Sequence, residues 1–469
     1  MPHLDESSIA PLQLNKSILS SMEEYGTGYV MYPAMKCFST RFGVDDFLEA
    51  ATHRRNIGPR YGLSLSLHMP PAASNFQPCP GFASQYRDCL DIYLAYLKRE
   101  IGMLSALFSD MDPIEQLCVT VPASTCLSMD QCEGLMRQLR DSFNLAAGVS
   151  REYVFKIGVH AVSVAHVHAL HVQGFNRLHL IAEDCTLDTA AEMLHDKKRI
   201  QPAAKTVELI KAAQVAGFRS VGVDFIYGCP GQNIMSVARN LSAVIAAAPD
   251  SVVLHGHIYL PLASGDMQLS DMDSRLAMFH RCVRQLNAAG YAYIGMNHFA
   301  KPEDEIAVAQ RQGRLYRNLQ GFSIHPESDA IGCGVAAIAA IGNSYSQNQT
   351  NLSAYYANID AGLLPVGCGT HLTMDDLLRR FIIERLACNF ELSLDFMEIA
   401  YPIIVFKEYF SEELAILRHM ETDGLIRIDS ERITVPPRGR LLIHVICKVF
   451  DRYQGALSDW QSHPRNSLA

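Results

Sequence analysis

The chain has 469 residues, 49% of them hydrophobic and 19% charged, enough to bury a large core in one main domain with a smaller appendage. A net charge of −9, a pI near 6.0 and the lack of any basic block exclude an electrostatic footprint for DNA or RNA. No run reaches the ~18 apolar residues of a membrane span. The opening MPHLDESSIAPLQLNKS has no charged-then-apolar leader pattern, so a cytoplasmic protein without membrane insertion is expected. Thirteen cysteines, an odd number with no CxxC or CxxxC pair, suggest neither a disulfide framework nor a zinc ribbon, and most read as reduced core residues.

Residues 1–45 read as an N-terminal arm in which Pro33, after Tyr32, sets a turn. Short apolar runs then alternate with longer amphipathic ones. YGLSLSLHM precedes DIYLAYLKREIGMLSAL, LCVTV precedes DQCEGLMRQLRDSF, and VFKIGVH precedes a helical stretch. RLHLIA precedes AAKTVELIKAAQVAG, SVGVDFIYG precedes IMSVARNLSAVIAA, and SVVLHGHIYLP closes the series. Strand and helix in alternation is the signature of parallel βαβ units, and six of them predict an α/β fold, a partial parallel (β/α)6 barrel of TIM-like form. Ligands of such folds sit at the carboxyl ends of the strands, which directs attention to the residues where strands stop. Gly228-Cys229-Pro230-Gly231 reads as a strand-to-loop turn with a geometric role. After about residue 360 the pattern is helical, and HMETDGLIRIDSERITVPPRGRLLIHVICKVF predicts a helix-hairpin-helix, winged-helix-like tail. The expected division is 1–45 arm, 46–360 barrel with its following segment, and 361–469 a mainly helical C-terminal domain.

Two histidine groups invite ligand readings. His255 and His257 alternate on one face of a predicted strand, where a neutral imidazole could ligate haem iron; the plainer reading is one packed and one rim imidazole. His166, His168 and His171 fall on a predicted helix with no carboxylate or cysteine beside them, and read as a solvated face.

The stretch from Leu65 to Cys79, LSLHMPPAASNFQPC, carries a family likeness. So do the blocks GMNHFAKPEDEIAVAQRQGRLYRNLQGF, AIGCGVAAIAAIGNSYSQN and LTMDDLLRRFIIERLACNFELS. Over roughly residues 20 to 455 the chain resembles the oxygen-independent coproporphyrinogen III oxidases (coproporphyrinogen dehydrogenases, HemN type) of the radical S-adenosylmethionine superfamily. That family has a CxxxCxxC triad after an L-x-x-H-x-P strand end, where this chain reads Ala72, Phe76 and Cys79. The resemblance implies a cofactor site, here vestigial, at Tyr32, Arg199, Asp224, Ile226 and Ile338. It also marks departures: Thr120-Val121-Pro122-Ala123-Ser124 for a Gly-Gly-Gly-Thr-Pro strand end, Gly158 for a ribose-binding glutamate, Glu183 for a glutamine, Ile258 for an alanine and Leu319 for an aromatic.

These changes concern one ligand. The resemblance therefore implies a family member without the 4Fe-4S cluster, in which Cys79 alone cannot suffice and S-adenosylmethionine binding is at most residual. Such a protein would be non-catalytic and linked to haem metabolism, binding a porphyrin, haem or a protein partner. His255, His257, His298, Arg311 and Arg317 are the candidate tetrapyrrole contacts, the arginines as counter-charges to propionates. The alternative is an active oxygen-independent coproporphyrinogen III oxidase, which decarboxylates two propionates through a 5'-deoxyadenosyl radical. It would need a cluster ligated from elsewhere, with Cys79, Cys118 and His68 as the available donors.

Overall fold

The computed structural model describes residues 31–57, 62–70, 82–108, 113–122, 125, 127–148, 150–182, 202–229, 232–256, 272–325, 329–402 and 404–453. Six strands pair in chain order, all parallel: β1 (Leu63–His68), β2 (Ile114–Val121), β3 (Glu152–Gly158), β4 (Arg177–Ala182), β5 (Ser220–Tyr227) and β6 (Ser251–Gly256). Helix α1 (Val44–Ile57) precedes them. Helices α2 (Phe82–Phe108), α3 (Met129–Ser142), α4 (Val164–Val172), α5 (Pro202–Ala216), α6 (Ile234–Ala246) and α7 (Met272–Ala288) each follow one strand. The six βα units expected from the sequence are all present, and the fold is α/β.

The sheet continues at both ends. Beyond β6 lie antiparallel β7 (Ala292–Gly295) and β8 (His298–Ala300), and a separate hairpin is made by β9 (Tyr316–Asn318) and β10 (Gly321–Ser323). On the other side β1 pairs in parallel with β11 (Ala330–Cys333), followed by antiparallel β12 (Ile338–Ile341), β13 (Ser344–Asn348) and β14 (Val366–His371). Among the described residues the order β14-β13-β12-β11-β1-β2-β3-β4-β5-β6-β8-β7 makes one twelve-stranded sheet.

Alternation decides which face each residue takes. Leu63, Leu65 and Leu67 of β1, Leu117 and Val119 of β2, Leu178 and Leu180 of β4, and Val221 and Val223 of β5 share the outer face and are fully buried in the main apolar core. Burying one such side chain contributes roughly 1.5–3 kcal/mol. Helix starts are signalled locally. Ser128 and Gln131 form a reciprocal capping box at α3, and Asn233 caps α6 in the same way.

The C-terminal part is mainly helical, and its last described elements are a helix (Ser411–Thr422), a hairpin (Arg427–Ile428 with Arg432–Thr434) and the short helices Pro437–Arg440 and Ile443–Lys448, the expected helix-hairpin-helix. Among the described residues nine cysteines are free thiols, six of them buried. Cys229 is disulfide-bonded, which spacing alone did not suggest. No helix among the described residues is long and apolar enough to cross a membrane.

Candidate functional site

Strand register puts a second set of residues on the inner face: Ser64, Ser66 and His68 of β1, Gln116, Cys118 and Thr120 of β2, Glu152, Lys156 and Gly158 of β3, Arg177 and His179 of β4, Asp224 and Ile226 of β5, and His255 of β6. Parallel strands covered on both sides ordinarily read as near-continuous apolar runs. Here most inner positions are polar, although Val154, Ile181, Ile226 and Val253 also take this face. Ser64, Ser66, Gln116, Glu152, Arg177 and Asp224 are nevertheless buried, so the inner face is a polar lining that must satisfy itself or a ligand.

Nearer the carboxyl ends the lining converges on Asp224, which is 4% exposed. Lys156 Nζ donates to Asp224 Oδ2 at 2.7 Å, and His179 Nε2 bonds Asp224 Oδ1 at 2.7 Å. Burial alone would push the carboxyl up, but His179, Lys156 and His255 outweigh it and hold Asp224 well below the usual carboxylate range. Burial likewise opposes charge on Lys156, and Asp224 reverses that, raising the ammonium's pKa. His255 Nε2 lies 3.1 Å from Asp224 Oδ1, yet its ring is not aligned for a hydrogen bond and the nitrogen is buried without one.

His298 faces the same space, since β8 pairs His298 with Val253. Its Nε2 is buried without a hydrogen-bond partner, its ring meets Phe322 edge-on at 5.6 Å, and burial lowers its pKa to about 3, with His179 adding to the effect. It is therefore neutral at pH 7. Gly222 makes room for this arrangement: a Cβ there would stand 2.5 Å from His179 Nδ1 and 2.9 Å from Ser251 Oγ.

The opposite end is sealed by side chains. Gln116 Nε2 donates to Glu152 and, at 2.7 Å, to Ser323 Oγ of β10, while Asn318 Nδ2 of β9 donates to Gln116 Oε1 at 2.9 Å. Gln320 Nε2 donates to Ser64 Oγ at 2.6 Å. Arg177 pairs with Glu152 at 3.5 Å and with Glu305. The β9–β10 hairpin thus closes the amino-terminal end, leaving the carboxyl end as the place for ligand chemistry.

Of the residues singled out from sequence, Asp224, Ile226, His255 and His298 come together on this face, with Ile226 opposite His255 in the register. Tyr32 does not join them. It is buried with its ring 6.1 Å from that of Tyr453, and it is Met31 that packs with Leu319 and Ile338. The arm's direction, invisible in a Tyr-Pro dipeptide, accounts for the difference. Arg311 is exposed in the last turn of helix α8 (Glu305–Arg311), away from the lining. Arg317 stacks over Phe322 at 4.9 Å, beside His298.

His166 bonds its own helix cap, Ser163, at 2.6 Å, His168 is exposed and His171 packs on Phe218, so the three do not converge. Among the described residues no group of three or more His, Cys, Asp or Glu is arranged to hold a metal ion. Cys118 sits on the inner face with its thiol raised by burial. Ala72, Phe76, Cys79, Glu183, Arg199, His257 and Ile258 lie outside the described residues. The apolar content of the strands does not single out Lys156 and His179. The signal was present in the alternating polar positions of VFKIG and RLHLIA.

No model of a known protein family matches the chain. Individual proteins do. The oxygen-independent coproporphyrinogen III oxidase of Pseudomonas aeruginosa is 36% identical over 441 residues, covering 92% of this chain and 94% of that protein. The proteins of the same name from Synechocystis and Escherichia coli are 33% and 32% identical over 92% and 95% of this chain. The solved structure titled as coproporphyrinogen III oxidase (HemN) from Escherichia coli, a radical SAM enzyme, superposes with a TM-score of 0.80 at 33% identity, covering 92% of this chain and 98% of that one.

Proposed function

The chain belongs to the oxygen-independent coproporphyrinogen III oxidase family, and we propose that within it this protein is a cytoplasmic tetrapyrrole-binding member that does not run radical chemistry. The proposal keeps the three-part division into arm (1–45), barrel (46–360) and C-terminal domain (361–469). One observation carries it. A radical-type cluster is held by three cysteine thiolates, and the chain offers Ala72, Phe76 and Cys79 at the three positions. Alanine and phenylalanine have no donor atom. The residues present do not fit the cluster.

The polar lining supports the tetrapyrrole half of the reading. His255 and His298 present buried ring nitrogens without hydrogen-bond partners toward the inner face, and Arg317 lies close by as a cation. Buried ring nitrogens of this kind cost free energy until a ligand meets them. Carboxylates on a planar apolar ring have the matching chemistry.

The second reading, an active oxygen-independent coproporphyrinogen III oxidase, is favoured by the comparisons themselves: the likeness runs nearly end to end with proteins of that name. Anaerobic reconstitution with iron and sulfide separates the two. The proposal expects fewer than about one iron per chain, whereas about four irons and four sulfides with a brown chromophore would establish the second reading. Titration with haemin and coproporphyrin should give a saturable Soret shift, and its absence for both would remove the tetrapyrrole half.

A further inference from the structure

We infer that Lys156 is a built-in occupant of the cofactor position, an ammonium from the chain itself that closes Asp224 to the cationic S-adenosylmethionine. The inference rests on the reading that Asp224 marks the inherited cofactor site, and it concerns the cofactor rather than the cluster. Both oxygens of Asp224 are taken, Oδ2 by Lys156 and Oδ1 by His179, each at 2.7 Å. Lys156 and Gly158 are two residues apart on one strand and so share the inner face. The place where the family resemblance puts a ribose-binding carboxylate is therefore a bare glycine, with a cation beside it.

Among the described inner-face residues at this level (His68, Cys118, Thr120, Lys156, His179, Asp224, Ile226, His255 and His298), Asp224 is the one acid. A ligand bearing a sulfonium and an amino group would meet an ammonium, several imidazoles and a carboxylate already neutralised. Gly222 fixes the outcome, because its missing Cβ lets the His179 ring occupy the space next to Asp224. The site has been filled from within.

Calorimetric titration of the full chain with S-adenosylmethionine tests this. Wild-type protein should show no saturable binding up to about 1 mM, and Lys156→Ala should gain it, tightening the apparent Kd about tenfold or more. Lys156→Met, which keeps the side-chain volume, guards against collapse of an alanine variant, with circular dichroism verifying the fold. Saturable binding by wild-type protein that neither variant tightens would overturn the inference.

A second measurement needs no variant. Acetylation of wild-type lysines, followed by peptide mass spectrometry, should find Lys156, held by Asp224, protected relative to the exposed Lys211, and equal labelling would count against the closed pair. Iron and sulfide counting is independent of both, so a chain that takes up a cluster yet excludes S-adenosylmethionine would sink the proposed function while leaving this inference standing.

Discussion

A carboxylate as deeply buried as Asp224 stays ionised only because Lys156, His179 and His255 surround it. Removing one member of a buried pair leaves the other uncompensated, which typically costs about 3–5 kcal/mol. Lys156 is one-third exposed and can reach water, so Asp224→Asn should lose about 3 kcal/mol, the lower end, in urea unfolding at pH 7. The sign with pH follows from the direction of the shift. Because the folded pKa is depressed, the stabilisation is present above the unfolded value of about 4 and is lost as pH falls through the lower folded value. Wild-type protein should therefore show a steeper acid limb than Asp224→Asn in a stability profile from pH 5 to pH 2. A superimposable acid limb in the two proteins would show that the carboxylate is not held low.

At the scale of an element, β5 shows how one strand serves two demands. Its outer positions Val221, Val223 and Phe225 are core, while its inner positions Gly222, Asp224 and Ile226 build the site. Gly222→Ala adds a methyl 2.5 Å from His179 Nδ1, too close for any real contact, so the ring must leave its bond to Asp224 or the strand must shift. The expected cost is about 1–3 kcal/mol. In NMR the His179 ring signals should move while those of His171, packed on Phe218 in a different element, stay in place. Unchanged His179 signals would show that the glycine is not what admits the ring.

At the scale of the whole molecule, Glu100 ties three elements and the turn after β11 together. This residue of α2 is 1% exposed. It accepts from Tyr355 Oη of helix α9 (Leu352–Asp360) at 2.6 Å, from Asn348 Nδ2 of β13 at 2.6 Å, and from Gly334 N after β11 at 2.8 Å. Burial raises its pKa to about 7 despite those donors. A raised carboxyl stabilises most below its unfolded value near 4.5 and loses that contribution as pH climbs through 7. The decline amounts to about 3 kcal/mol over that range. Glu100→Gln should flatten the pH 5 to pH 8 part of the stability curve, and an equal slope in both proteins would exclude Glu100 as its source.

The chain's own order determined much of this protein. Six apolar runs separated by helical ones gave the parallel sheet, Ser128 and Asn233 mark helix starts, and Ala72 and Phe76 stand where the family resemblance places two cysteines. Those features depend on neighbours within a few positions, where alternation and capping act. Tertiary structure alone decided that Lys156 meets Asp224 across an intervening strand, that Tyr32 turns toward Tyr453, and that the β9–β10 hairpin seals the far end through Gln116. Each of these is a meeting of side chains from distant segments. Register and face must first be set between strands before such a contact exists, and a shift of one residue would send every participant to the opposite side of the sheet.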